Sequence, residues 1–159
     1  MKQTSEIGIL TLAARMQKLS DSIRREASAI YRENGIDFES KWIPVISLLS
    51  KKSPLSVVEI AGELGYAHPS IIAILNDLES KKLVQSLSHK NDGRKRQLTL
   101  TQKGESLFQD MRPLMRKMNR VNNKLIDNKH NLLKAIEQAE AQHSKKSFYE
   151  RMQKQMKVK

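Results

Sequence analysis

Residues 56 to 78 set two apolar helical faces one after the other with only a glycine-marked turn between them, and few folds accommodate that order. In "SVVEIAGELGYAHPSIIAILNDL", Ser56 and Glu59 have the spacing of a capping box, and Val57, Ile60, Ala61 and Leu64 share one helical face before Gly65 ends it. His68-Pro69 restarts the helix, because proline's fixed φ suits the first helical position and its missing N–H costs nothing there. Ile71, Ile74, Leu75 and Leu78 then recur at i, i+3, i+4 and i+7, so one face of the second helix is predicted to be buried. Two short helices joined this tightly make either a helix-turn-helix or a plain helical hairpin of an all-α bundle.

The next residues separate the two. Leu83, Gln85 and Leu87 alternate with Val84, Ser86 and Ser88, Asp92-Gly93 marks a turn, and Leu98 and Leu100 alternate with Gln97 and Thr99. That pattern predicts a β-hairpin. A hairpin directly after the second helix is a wing, so residues 37–104 read as a winged helix-turn-helix in a mainly α chain.

Long helices are expected on either side. Apolar residues from Ile7 to Tyr31 predict a first amphipathic helix ended by Asn34-Gly35. "DFESKWIPVISLL" predicts a shorter helix capped by Asp37, with Pro44 in its first turns. Thr101 can cap a helix from about Gln102 to Ile126, and one last helical segment is expected from Asn131 to Met156. The glycines are assigned to turns and helix ends, with Gly62 unexplained. The whole chain, 1–159, suits one domain, with 1–35 and 105–159 forming a helical region beside the winged one.

A formal charge of +12, from 29 Lys and Arg against 17 Asp and Glu, favours a polyanionic partner, nucleic acid before an anionic membrane. Residues 105 to 159 hold thirteen of the cations and six of the acids, so the excess is largest outside the winged region. The wing is the sharper signal. Lys90, Arg94, Lys95 and Arg96 surround Asp92 at its tip, and an arginine on a narrow hairpin fits a minor groove, where A-T stretches concentrate negative potential. Asp92, two residues from Arg94, is placed to hold that guanidinium by a charge-assisted hydrogen bond. On the second helix the positions off the buried face are His68, Ser70, Ile72, Ala73, Asn76 and Asp77. Ser70 suits a phosphate, Asn76 an adenine edge, and Ile72 and Ala73 thymine methyls, while Asp77 would repel phosphate if it faced one.

Together "PLSVVEIAGELG", "HPSIIAILNDLESKKLV" and above all "DGRKRQLTLTQKG" resemble the MarR family of winged-helix transcriptional regulators, over about Gly8 to Gly104. The last stretch is similar to the family's Asp-x-Arg wing followed by Leu-Thr-x-x-Gly. The resemblance implies a homodimer clamped by the N- and C-terminal helices and a recognition helix beginning near Pro69. It further implies Arg94 in the minor groove with Asp92 fixing it, and a small-molecule or redox signal received between the dimer helices and the winged region. Lys82 stands where the family usually has glycine, which implies a turn made without the usual left-handed residue. Ile72 and Ala73 replace polar or basic residues common there, which shifts affinity toward the wing and phosphate contacts.

Other chemistries find little footing. There is no cysteine, hence no disulfide, thiolate metal site or thiol nucleophile, and a cytoplasmic setting is expected. His68, His89, His130 and His143 are scattered without a metal-binding pair, and "GELG" lacks the Lys-Ser/Thr ending of a phosphate loop. No metal, cofactor or enzymatic activity is expected, nor any membrane segment. Double-stranded DNA bound at a pseudo-palindromic operator is the favoured partner. The rivals are a sequence-independent architectural protein that coats or bends nucleic acid, and a winged helix that docks partner proteins.

Overall fold

Helix α1, Leu12–Glu33, is buried only in its last turns, through Ala27, Ser28 and Tyr31. The computed structural model describes Gly8 and residues 11–87, 96–126 and 131–157. They fall into two compact units, Met1–Met111 and Arg112–Lys159. In the first, α1 ends at Asn34, whose side-chain amide donates to the Ile30 carbonyl at 2.8 Å, and Gly35 follows with φ +72°. Leu12, Met16 and Leu19, earlier along α1, stay exposed.

Beyond Gly35, Phe38 packs its ring edge to face against Tyr31 of α1 and against Trp42, at 5.5 and 5.3 Å. The Ser40 amide donates to Ser28 Oγ at 3.0 Å, which fastens a short 3-10 turn, Ser40–Trp42, against α1. Helix α2 is Ile43–Leu49, with Pro44 in its first turn. Asp37 does not cap it, contrary to expectation, because the 3-10 turn intervenes and the Asp37 carboxylate pairs with the Lys81 ammonium instead.

The centre follows the predicted order with one addition. A two-residue strand β1, Leu55–Ser56, precedes α3, Val57–Leu64, and α4, His68–Ser80. Strands β2, Val84–Leu87, and β3, Gln97–Leu100, complete an antiparallel sheet in the order β1-β3-β2. Leu55 lies opposite Leu98, and Val84 opposite Leu100. So short a strand leaves no alternating pattern in the sequence. The alternation predicted for β2 is also cut short, since Leu83 and Val84 are both buried while Leu87 is 42% exposed.

The turn is made without glycine, as expected, and Lys82 itself takes the left-handed conformation, at φ +59°. Its amide donates to the Glu79 carbonyl at 2.8 Å, and that of Leu83 to the Leu78 carbonyl at 2.9 Å, closing α4 as a glycine there would. A side chain in that region costs roughly 1–2 kcal/mol. Replacing it with glycine also adds freedom to the unfolded chain. Lys82→Gly is therefore expected to raise the urea-unfolding free energy by about 1 kcal/mol, and a loss of stability would show that the lysine stem contributes more by packing than its backbone costs.

Thr101 and Gly104 join the sheet to α5, Gln102–Ile126, which continues through Pro113. Thr101 Oγ1 donates to the Lys82 carbonyl at 2.7 Å and accepts from the Gly104 amide at 3.0 Å, so this residue caps α5 and ties it to the end of α4. Gly104 sits inside the first turn of α5 rather than at a helix end. A Cβ on it would lie 2.1 Å from the Leu83 carbonyl oxygen. Phe108 and Met111 complete the core of the first unit with Val45, Ile46, Ile60 and Leu75.

In the second unit the single predicted C-terminal segment is two helices, α6, Leu132–Lys145, and α7, Phe148–Met156. Ser147 and Glu150 form a complete capping box at the break, and the Arg151 guanidinium donates to the Gln142 and Lys146 carbonyls. The spacing "SFYE" carries this start signal.

Candidate nucleic-acid interface

The capping box predicted for α3 forms as drawn. The Glu59 amide donates to Ser56 Oγ at 3.3 Å and the Ser56 amide to Glu59 Oε2 at 2.7 Å. Gly65 ends α3 at φ +65°, a conformation most side chains resist, and so lets α4 begin after only two further residues. Gly62, on the exposed side of α3 with open space around it, has no structural explanation.

Ile71, Ile74, Leu75 and Leu78 all point into the core. The opposite side of α4 is thereby committed to the surface. His68, Ser70, Ala73 and Asn76 are exposed there, with Ile72 at 40%. This face is short-chained and nearly uncharged, able to approach another surface closely but with a single amide, Asn76, for bidentate hydrogen bonding. The N-terminal turn has no side-chain cap, Ala67 standing at the N-cap position.

Asp77 is engaged in an ion pair. Its carboxylate accepts from the Lys41 ammonium at 2.7 Å, and that hydrogen bond holds the acid below its ordinary range. Lys81, just past the last turn, pairs with Asp37, so two ion pairs bind the end of α4 to the segment 37–41. Sequence reasoning missed both lysines. Their partners lie 36 and 44 residues away, beyond any local pattern.

Arg96 has a structural occupation as well. Its guanidinium meets the Glu79 carboxylate of α4, and Nε donates to Ser86 Oγ of β2 at 3.2 Å. It thus ties the start of β3 to the end of α4 and engages one of the cations expected to contact DNA. Lys90, Asp92, Arg94 and Lys95 lie outside the described residues.

A groove of about 610 Å³ runs beside α1, lined by Asp21, Arg24, Arg25, Ser28, Arg32, Glu39 and Lys41. Lys41 therefore belongs both to the groove wall and to the Asp77 pair. Trp42 and Met111 are core residues, at 3% and 0% exposure, and do not line this groove. Among the described residues no three His, Cys, Asp or Glu side chains are grouped to hold a metal, and no helix is long and apolar enough to cross a membrane.

No family model matches the chain. Solved structures do match it in fold. A MarR/EmrR family transcriptional regulator from Acinetobacter sp. ADP1 is 20% identical, with a TM-score of 0.67 over 84% of this chain and 95% of that one. The transcriptional repressor CouR, bound to a 23-mer DNA duplex, is 21% identical, with a TM-score of 0.67 over 86% and 99%. Staphylococcus aureus MarR, in complex with salicylate and kanamycin, is 17% identical, with a TM-score of 0.59 over 87% and 91%. The chain thus has the winged-helix fold of MarR-family regulators.

Proposed function

We propose that this chain is a DNA-binding transcriptional regulator of the MarR type, acting as a homodimer on a pseudo-palindromic operator. The observation that carries the reading is the exposed face of α4, held by Arg96 against the base of a basic hairpin in a fold shared with a DNA-bound repressor. His68, Ser70, Ile72, Ala73 and Asn76 face the major groove, with Asn76 on an adenine edge and Ser70 on a phosphate. Lys90, Arg94 and Lys95 bring the wing to the minor groove, with Asp92 orienting Arg94. Arg96 acts mainly by positioning that wing.

Exposed apolar side chains support the dimer. Leu12, Met16 and Leu19 on α1, Leu133 on α6, and Phe148, Tyr149, Met152 and Met156 on α7 remain uncovered in a single chain. Soluble monomers rarely leave large apolar patches open. Two copies joined through their terminal helices would bring two recognition helices to half-sites about one helical turn apart.

The groove beside α1 suits the effector that the family resemblance implies. A small anion entering among Arg24, Arg25, Arg32 and Lys41 would draw Lys41 from Asp77, and so act on α4 through a single ammonium. The complex of S. aureus MarR with salicylate supports a small-molecule input on this fold.

Selection from a pool of random duplexes at about 150 mM salt tests the whole reading, because site-specific binding must exceed non-specific binding by about a thousandfold or more. Enrichment of an inverted repeat with A-T flanks is expected. Uniform retention that disappears as salt rises would put a sequence-independent architectural protein in its place.

A further inference from the structure

Helix α5 carries a second basic surface, separate in sequence from the wing. Between residues 112 and 126 it contains five cations and no Asp or Glu. Arg112, Arg116, Arg120 and Lys124 follow at four-residue intervals, Lys117 lies beside them, and all five are exposed. At 3.6 residues per turn they occupy the side of the helix opposite Leu114, Met115 and Met118, which are half-buried.

Such a row is unfavourable for the helix by itself, because like charges at i, i+4 repel. Helical surfaces ordinarily interleave acids to relieve this. Here none is interleaved, and among the described residues no carboxylate forms an ion pair with Arg116, Lys117, Arg120 or Lys124. The geometry also selects the partner. Cations on a convex helix diverge, so they do not converge on one small anion as groove-lining groups can. From Arg112 to Lys124 they are spread along about 18 Å of axis at 1.5 Å per residue, while duplex DNA presents a phosphate about every 1.7 Å of its own axis.

We propose that this exposed face of α5 is a second, sequence-independent contact for the phosphate backbone of duplex DNA. It rests on the preceding reading only in taking duplex DNA as the polyanion, and needs neither the wing nor a base-specific contact. Its energetic signature is counterion release, which leaves the slope of affinity against salt as the direct measure of the phosphates engaged.

The test uses the full chain with Arg116→Gln, Lys117→Gln, Arg120→Gln and Lys124→Gln combined, since glutamine keeps helix propensity while removing charge. Binding to a random-sequence duplex of about 40 base pairs is followed from about 50 to 300 mM salt, with Arg94→Ala measured in parallel. The fourfold variant is expected to flatten the log-log slope by about 3 to 4, at about 0.9 for each lost contact, and to lose at least about tenfold in affinity at the lowest salt. Its thermal melting should be no lower than that of the parent chain, since the i, i+4 repulsion is relieved, and its oligomeric state should be unchanged. Arg116→Lys with Arg120→Lys should keep the parent slope, because charge rather than guanidinium shape carries the contact.

An unchanged slope in the fourfold variant overturns the proposal, and so does a loss of DNA binding in the Lys-for-Arg variant. A changed oligomeric state with an unchanged slope would assign the face to protein contact and overturn it equally. If Arg94→Ala weakens binding and the fourfold variant does not, the wing reading stands while this one falls. The reverse pattern keeps the α5 contact and removes the wing.

Discussion

Arg94→Ala is expected to weaken duplex binding by more than about tenfold at moderate salt while leaving the oligomeric state intact. Two effects add at this one position. Loss of a cation removes a counterion-release contribution, and loss of a guanidinium from a narrow A-T minor groove removes a contact made where the negative potential is strongest. Asp92→Ala should act in the same direction but less, since it loosens the arginine without deleting it. Electrophoretic mobility shift on the selected operator, run beside sedimentation of the free protein, separates DNA contact from assembly. Normal binding by the Arg94 variant would falsify the wing assignment, whatever the fate of the α4 face.

Gly104→Ala is expected to destabilise the fold by about 3 kcal/mol, the upper range for forcing extra atoms into a packed site. An alanine in the interior of a helix ordinarily favours it by about 1 kcal/mol over glycine, so propensity alone predicts the opposite sign. The difference is the neighbour. The added methyl would stand 2.1 Å from the Leu83 carbonyl oxygen and 3.0 Å from its carbon, both main-chain atoms that no rotamer change can move aside. That carbonyl also accepts the Thr101 amide at 3.0 Å, so displacing it disturbs the join between α4, the sheet and α5. Urea unfolding decides the matter, and a neutral or stabilising alanine would show that α5 stands further from Leu83.

Much of the fold is legible before any coordinates, and the reasons are local. Ser56 with Glu59, Gly65, Pro69 and the run Ile71, Ile74, Leu75 and Leu78 each act within one or two helical turns, where hydrogen-bond reach and helical period leave few options. The helix-turn-helix therefore follows residue by residue. Local signals also misled where two were available. Asp37 has the chemistry of a cap, yet an ion pair with Lys81 occupies it.

The candidate interface divides in the same way. Burial of four apolar residues determined by sequence alone which side of α4 is outward, so His68, Ser70, Ile72, Ala73 and Asn76 were identifiable as surface positions. The neutralisation of Asp77 by Lys41, the capture of Arg96 by Glu79, and the requirement for glycine at 104 were decided only by the tertiary structure. Each depends on two groups far apart along the chain meeting at hydrogen-bond or van der Waals distance. Interactions of that range leave no period, spacing or composition in the sequence, because the backbone between the partners is free to vary as long as it returns them to the same place.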